Sequence, residues 1–162
     1  MTKLIGNAVI GQSGGPTAVI NSSAYGAIRA ALDAPEIGRV YGALNGINGI
    51  LNENLIDLGM EDPSELELMK NTPASALGSC RCKLKNPDED DTAYMRILEV
   101  FKKYNIRYFF YKGGNDSMDT CNKVSKFMLY NGYDCRVIGI PKTIDNDLCL
   151  TDHCPGYGSA AK

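Results

Sequence analysis

The segment Pro141–Asp147 holds the residue types with the clearest capacity for chemistry in this chain. It combines two carboxylates, an amine and a hydroxyl: Asp145, Asp147, Lys142 and Thr143. The segment follows an apolar run, residues 136–140, of the kind that forms a buried parallel strand. Ligands of open α/β sheets bind beyond the carboxyl ends of such strands. A carboxylate there can take a proton from a substrate hydroxyl while its neighbours hold phosphate or metal, so the segment indicates phosphoryl transfer.

Two other loops, 11–15 and 112–117, are rich in glycine and small polar residues. Each follows an apolar run and precedes residues with helical spacing. Glycine lets backbone N–H groups approach an anion, and a helix N-terminus adds a favourable partial charge. One Gly-Gly pair alone more often marks a turn, but two pairs together with the segment 141–147 indicate a phosphate site. If the preceding strands are parallel, all three loops open at one edge of the sheet.

Strand-like and helix-like segments alternate along the chain, a pattern typical of a parallel sheet with crossover helices. Apolar runs predict strands at 7–10, 39–44, 106–111 and 136–140. Helical spacing predicts three apolar faces: Ile20, Ala24, Ala27, Ile28 and Ala31; Tyr94, Ile97, Leu98, Phe101 and Tyr104; and Met118, Cys121, Val124 and Met128. Pro16 suits the first turn of the first helix. We therefore predict an α/β fold, a mostly parallel sheet with helices on both faces in a Rossmann-like three-layer arrangement.

The stretch 52–87 has a weaker pattern. Residues 54–58 fit a short strand, 63–69 a short helix, and 77–81 a loop that enters the site. The acidic run 88–91 precedes a strong helical pattern. Acidic residues at a helix N-terminus interact favourably with the helix dipole, so we interpret this run as a solvated helix start and not as a metal site.

Bulk properties limit the possible functions. A chain of 162 residues supports one domain with a hydrophobic core. Its formal net charge of −2 argues against a broad nucleic-acid-binding surface. The sequence contains no apolar run of the ~20 residues that span a bilayer, and no signal-peptide core follows Met1. We therefore expect no nucleic-acid or membrane partner and a cytoplasmic location.

The six cysteines make no Cys-x-x-Cys pair. A metal cluster of Cys149, His153 and Cys154 is conceivable, but we expect reduced, structural thiols. Cys121 and Cys135 lie in apolar surroundings, where a free thiol behaves as a small hydrophobic side chain.

Four motifs together resemble the N-terminal half of a phosphofructokinase. They occur in that family's order and cover nearly the whole chain: Ser13-Gly14-Gly15 with Asn21; Gly78-Ser79-Cys80-Arg81; Gly113-Gly114-Asn115-Asp116-Ser117; and Pro141-Lys142-Thr143-Ile144-Asp145-Asn146-Asp147. The Thr-Ile-Asp-Asn-Asp run is the most specific of them. The tail 151–161 also resembles the segment that follows this run in the family.

The resemblance implies a role for each matching position. Asp145 would be the general base that takes the proton from the sugar 1-hydroxyl. Thr143 would contact the sugar end or the transferring phosphoryl group, and Asp147 would lie near the metal. Arg81 would stabilise charge on the phosphoryl donor. The implied donor-binding positions are Gly14, Gly15, Arg81, Gly114, Asp116, Ser117 and Lys142.

Two positions resemble the members of the family that use pyrophosphate. Asp116 stands where the ATP-using members typically have glycine, and its side chain would crowd the space that a nucleotide needs. Lys142 can neutralise a compact anion of high charge density. The implied cofactor is Mg²⁺, with Asn115 and Asp116 as alternative ligands, although the family usually has an acidic residue where this chain has Asn115.

The implied reaction is transfer from pyrophosphate to fructose 6-phosphate, giving fructose 1,6-bisphosphate and phosphate; ATP is the alternative donor. We interpret residues 1–162 as the donor-binding, catalytic N-terminal domain, a fragment without the C-terminal sugar-phosphate domain and therefore without efficient turnover. The parent enzyme is expected to be a homo-oligomer. Two other classes compete: a non-catalytic phosphate-binding module, and the NAD and lipid kinases, whose pattern lacks the segment Thr143–Asp147.

Overall fold

A five-stranded sheet forms the centre of the molecule. The computed structural model describes residues 3–161, with side chains to residue 159, so the expectation about the start of the chain at Met1 lies outside the described residues. The strands are β1 (Gly6–Gln12), β2 (Ile37–Ala43), β3 (Leu55–Asp57), β4 (Ile106–Gly113) and β5 (Arg136–Pro141). Their order is β3-β2-β1-β4-β5, with β2, β1, β4 and β5 parallel and β3 antiparallel to β2. The predicted mostly parallel sheet is confirmed.

Helices cover both faces of this sheet. They are α1 (Ile20–Asp33), α2 (Ile47–Leu51), α3 (Pro63–Leu68), α4 (Thr92–Lys103), α5 (Asn115–Tyr130) and α6 (Tyr157–Ala161), with a 3₁₀ turn at Leu58–Met60. Side chains alternate along β1: Ala8 and Ile10 pack with α1, whereas Val9 packs with α2, α4 and α5. The two hydrophobic cores lie on opposite faces, which confirms the three-layer prediction.

The predicted helical faces are largely the buried ones. In α1 the buried apolar residues are Ile20, Ala24, Ile28 and Ala31, and Ala27 is partly buried against them. The acidic run before α4 caps that helix, because the Asp90 carboxylate accepts a hydrogen bond from the N–H of Thr92 at 3.2 Å. Hydrogen bonds from the Thr92 side chain and from its N–H lower the pKa of Asp90.

The expected position of Pro16 was wrong. Pro16 lies in a loop, and α1 begins only at Ile20, after a turn in which the N–H of Ile20 donates to the carbonyl of Thr17 at 3.3 Å. The φ of a proline suits the first turn of a helix, but it also suits a loop, so the residue could not fix the helix start. The glycine loop is consequently longer than predicted.

Among the residues described, no helix is long and apolar enough to cross a bilayer.

Candidate functional site

The three predicted loops, and the loop that contains Arg81, meet in one cavity of about 500 Å³. Four segments line it: 13–17, 80–83, 114–117 and 142–145. The cavity lies at the carboxyl ends of β1, β4 and β5. From β1 the chain continues to β2 on one side, and β4 lies on the other side of β1. The strand order therefore reverses beside β1, and ligands of open sheets bind at such a switch point. Every predicted site residue except Asp147 lines this cavity.

The first loop is fixed to its neighbours through its main chain. Ser13 N–H donates to the Lys112 carbonyl at 2.8 Å, and Gly14 N–H donates to the Cys80 carbonyl at 3.1 Å. Gly14 has a φ of +76°, in the left-handed region that favours glycine. Because its N–H is already donated to Cys80, a phosphate could take this N–H only by displacing that carbonyl. The contact of Gly14 with donor phosphate stays a prediction.

The loop that contains Arg81 is attached directly to this glycine loop. The Ser79 hydroxyl donates to the Gly14 carbonyl, and the Ser13 hydroxyl donates to the Cys80 carbonyl at 3.3 Å. Arg81 itself is exposed at the cavity and forms no ion pair within the described part of the chain. The Arg81 guanidinium is therefore available to bind an anion. The hydrogen bonds of Ser79 and Ser13 fix the loop that carries it.

The loop after β4 brings two candidate metal ligands to the start of α5. The Asn115 amide donates to a carboxylate oxygen of Asp147 at 2.9 Å, which places Asp147 beside the cavity although it does not line it. Asp116 instead lies 3.5 Å from the Lys83 ammonium. Both members of that pair are mostly exposed, so the pair contributes little to stability.

The donor set suits Mg²⁺. This ion prefers oxygen ligands and commonly uses one or two carboxylates together with substrate phosphates. Asn115 keeps its amide oxygen free while its nitrogen binds Asp147, so the two residues present an amide oxygen and a carboxylate side by side. Among the described residues there is no group of three or more His, Cys, Asp and Glu side chains that could hold a metal without substrate. Asn115 and Asp147 are already hydrogen-bonded to each other, and Asp116, whose exposed ion pair with Lys83 is weak, stays an alternative ligand.

Beyond β5, the main chain and one buried lysine close the cavity. Lys142 N–H donates to the Gly113 carbonyl at 3.0 Å, and the Lys142 ammonium donates to the Gly15 carbonyl. Lys142 is buried, and burial lowers its pKa, as does the nearby Arg81, while Asp145 acts in the opposite direction. The lysine therefore connects two loops of the cavity and places a positive charge between them.

Thr143 and Asp145 form a local turn that orients the carboxylate. The Asp145 N–H donates to the Thr143 hydroxyl oxygen at 3.1 Å, and the Thr143 hydroxyl donates to the Asp145 carboxylate at 3.3 Å. Thr143 N–H in turn donates to the Pro155 carbonyl at 3.1 Å. The Asp145 carboxylate is exposed to the cavity, and the Thr143 hydroxyl fixes its orientation. A general base needs both properties.

Asn146 is a positioning residue to which sequence reasoning gave no role. It lies in the left-handed region with a φ of 53°, and its side-chain oxygen accepts a hydrogen bond from Cys154 N–H at 2.8 Å. Its amide nitrogen donates to the Asp152 carbonyl at 3.3 Å. Asn146 thereby fastens the loop between the two aspartates to the tail. The sequence signal that could have identified this role is the residue type, because asparagine tolerates a positive φ in turns.

All six cysteines are free thiols, and burial raises the pKa of Cys121 and of Cys135 to about 12. Cys80 and Cys82 line the cavity, and the Cys80 sulfur lies 3.8 Å from the Tyr111 hydroxyl.

Lys112 is the second residue that sequence reasoning missed. Its side chain at the end of β4 is fully buried, and its Nζ has no hydrogen-bond partner among the described residues. Burial, and secondly the charge of Lys142, lower the pKa of Lys112 from 10.5 to about 8. An ammonium without a partner in such a place costs stability.

Replacing Lys112 with methionine is therefore expected to stabilise the ligand-free chain at pH 7 by about 3 kcal/mol, at about 1.4 kcal/mol for each pKa unit. The native pKa of about 8 lies below the unfolded value of 10.5, so the unfolded state binds more protons between these pH values. Wild-type stability due to this group consequently rises with pH through that window. Urea unfolding of both chains at pH 7 to pH 10.5 measures the difference.

The advantage of the Lys112→Met chain should shrink steadily as the pH rises toward 10.5. Lys126→Met, at an exposed position on α5, is the matched control and should change stability little. A Lys112→Met chain that is no more stable than wild type at pH 7 would contradict the assignment of an unpaired buried ammonium.

Comparison with known proteins identifies what the chain resembles. The family model described as Phosphofructokinase matches residues 7–162. The pyrophosphate–fructose 6-phosphate 1-phosphotransferase of Methylococcus capsulatus is 52% identical over 157 residues, which are 96% of this chain and 37% of that protein. A crystal structure of a pyrophosphate-dependent phosphofructokinase from Nitrosospira multiformis superposes with a TM-score of 0.91 at 51% identity, covering 96% of this chain and 38% of that one.

An ATP-dependent 6-phosphofructokinase of Actinobacillus pleuropneumoniae is more distant, at 34% identity over 161 residues, 99% of this chain and 45% of that protein. The chain spans less than half the length of each of these relatives.

Proposed function

Because the chain belongs to the phosphofructokinase family, we propose that it holds the donor site and the general base for phosphoryl transfer from pyrophosphate to the 1-hydroxyl of fructose 6-phosphate. The products are fructose 1,6-bisphosphate and phosphate. One observation carries this proposal: a hydroxyl-oriented carboxylate, Asp145, and a buried lysine, Lys142, line the same cavity as Arg81. A base, a buried cation and an exposed cation around one space are what in-line phosphoryl transfer requires.

Each residue has a separate task. Asp145 accepts the proton as the sugar oxygen attacks, and Thr143 fixes the carboxylate through the turn described above. Lys142 and Arg81 stabilise the negative charge that the departing phosphate gains. When bound, Mg²⁺ neutralises the phosphate oxygens, and Asn115 with Asp147 would hold it.

The preference for pyrophosphate has two supports. The relatives at 46% to 52% identity are named as pyrophosphate enzymes, whereas the ATP-dependent relatives are at 34%. In addition, Asp116 at the start of α5 forms its ion pair with Lys83 across the rim of the cavity. The side chain of Asp116 at that point would crowd the space that a nucleotide needs, whereas a compact diphosphate needs less space.

We further propose that residues 1–162 are the donor-binding, catalytic domain and that the grip on the sugar phosphate comes mainly from another domain of a homo-oligomeric enzyme. The share of 37% that the chain covers in a named relative supports this division. A cytoplasmic location agrees with six free cysteines, since thiols persist in reducing compartments.

A donor comparison tests the function. The protein as its gene encodes it is assayed with fructose 6-phosphate and Mg²⁺, with pyrophosphate or ATP as the donor. We expect kcat/KM for pyrophosphate to exceed that for ATP by about a hundredfold or more, a difference of about 3 kcal/mol in transition-state stabilisation. A preference for ATP would overturn the interpretation of Asp116 and Lys142. Binding of pyrophosphate without turnover would instead favour the non-catalytic phosphate-binding module.

A further inference from the structure

Lys112 lies near the end of β4, directly before the loop that lines the anion cavity, without being part of that lining. In the sheet it is registered between Gln12 of β1 and Ile140 of β5, near the carboxyl ends of β1, β4 and β5. Its carbonyl accepts the N–H of Ser13, the first residue of the glycine loop. The Lys112 side chain is 0% exposed, and its Nζ has no hydrogen-bond partner within the described residues.

Buried polar atoms without partners are rare in native proteins, and each calls for an explanation. Within the described part of the chain only two side-chain atoms fall in this class, Lys112 Nζ and Thr17 Oγ1. Thr17 belongs to the loop that lines the cavity. Lys112 is not part of that lining, so its buried ammonium, without a hydrogen-bond partner among the described residues, can act on the cavity only through its charge.

The charges around Lys112 indicate the sign of the ligand that this part of the cavity favours. The charged side chain that acts on Lys112 is Lys142, which carries the same sign. The strand neighbours Gln12 and Ile140, and the loop 13–17, contribute no charge. Lys142 in turn interacts with Arg81 and with one carboxylate, Asp145. In this group, Lys112, Lys142 and Arg81 are cations and Asp145 is the one carboxylate, while Asp116 pairs with Lys83. The excess of positive charge favours an anion with more than one negative charge.

We propose that Lys112 is a positioning residue for the donor, a second fixed ammonium near the cavity whose charge is balanced only when a diphosphate is bound. The proposal rests on the proposed function, since it assigns a further residue to the same donor site. Lys112 does not touch the cavity, so it acts through its electric field and through Lys142. Repulsion from Lys112 directs the Lys142 ammonium toward the glycine loop, where it binds the Gly15 carbonyl.

The arrangement favours a compact anion. Two ammonium groups near the carboxyl ends of neighbouring strands concentrate positive charge in a small volume. A diphosphate brings several charges into that volume, whereas a single phosphate brings fewer and gains less from the second lysine. Lys112 should therefore contribute more to the binding of pyrophosphate than to the binding of phosphate.

Calorimetric titration of the protein as its gene encodes it tests the role of Lys112. Mg²⁺–pyrophosphate is titrated into wild type, Lys112→Met, Lys112→Arg and the exposed-site control Lys126→Met at pH 7 and low salt. Lys112→Met should raise the pyrophosphate Kd about tenfold, the scale of one charge interaction across a protein interior. Its effect on the Kd of inorganic phosphate should be smaller. Lys112→Arg, which keeps the charge, should recover most of the pyrophosphate affinity, and Lys126→Met should match wild type.

A second readout does not depend on whether the arginine variant folds. Between pH 7 and pH 9.5 the ammonium of Lys112 loses its proton in the free wild-type protein, so the wild-type Kd should rise toward that of Lys112→Met. The ionisation of pyrophosphate itself affects both proteins equally, and the ratio of the two Kd values should therefore fall toward one. A purely structural role of Lys112 would leave this ratio independent of pH.

The outcomes separate this inference from the proposed function. Tight pyrophosphate binding by wild type with an equal Kd for Lys112→Met would overturn the role of Lys112 and leave the donor site intact. A wild-type protein that binds neither pyrophosphate nor phosphate would overturn the proposed function first.

Discussion

Replacing Asp145 with asparagine is expected to lower kcat for pyrophosphate-dependent phosphorylation of fructose 6-phosphate by about two to four orders of magnitude, the range that general base catalysis supplies. Asparagine has nearly the same shape as aspartate, and its backbone N–H still donates to the Thr143 hydroxyl. The turn and the cavity should therefore survive. What is lost is the oxygen that takes the proton from the attacking hydroxyl, because an amide does not accept a proton at neutral pH.

Steady-state kinetics and pyrophosphate titration measure the two parts of this effect separately. The Kd of Mg²⁺–pyrophosphate should stay within about threefold of wild type, since the general base is needed for the transition state and not for donor binding. Asp152→Asn is the matched control: this aspartate is exposed, outside the cavity, and contacts Asn146 only through its main chain. A kcat of Asp145→Asn equal to that of the control would remove Asp145 from the role of base.

Replacing Lys142 with methionine is expected to lower kcat/KM for pyrophosphate about 10- to 100-fold, the scale of one or two hydrogen bonds to a charged group. Lys142 is only 5% exposed, and its ammonium lies between the glycine loop and the Asp145 segment. Methionine fills the same space without the charge. The cavity should keep its shape, because the main chain of residue 142 still donates to the Gly113 carbonyl.

The kinetic parameters distinguish two ways in which Lys142 could act. A rise in KM with kcat unchanged would show that it binds the donor equally in the ground state and the transition state. A fall in kcat as well would show that it stabilises the leaving phosphate. Lys102→Met, at an exposed position on α4, should leave both parameters at wild-type values. An unchanged kcat/KM in Lys142→Met would contradict a donor-binding role for this lysine.

The sequence made the sheet, and the edge at which the cavity lies, predictable because the relevant signals are local. Apolar runs such as 106–111 and 136–140 are long enough to indicate buried strands, and the confirmed strands include them. Parallel pairing then places every following loop at one edge, whatever the exact strand order. This is why three loops separated by many residues could be assigned to one cavity from residue types alone.

The features that sequence reasoning missed depend on contacts between distant segments. The N–H of Gly14 is donated to Cys80, far along the chain, so a glycine that looked free to bind phosphate is already engaged. Lys112 was placed in the predicted loop 112–117, whereas β4 extends to Gly113 and pairs Lys112 with both β1 and β5, and its side chain is buried. Likewise, the start of α1 depends on the turn at Thr17 and not on Pro16.

The walls of the cavity are joined largely by main-chain atoms. Gly14 N–H donates to the Cys80 carbonyl, Lys142 N–H to the Gly113 carbonyl, and Thr143 N–H to the Pro155 carbonyl. These hydrogen bonds persist when the side chains that project into the space change. Substitution of the side chains that project into the cavity can therefore change which anion fits there, while the scaffold around them retains its architecture.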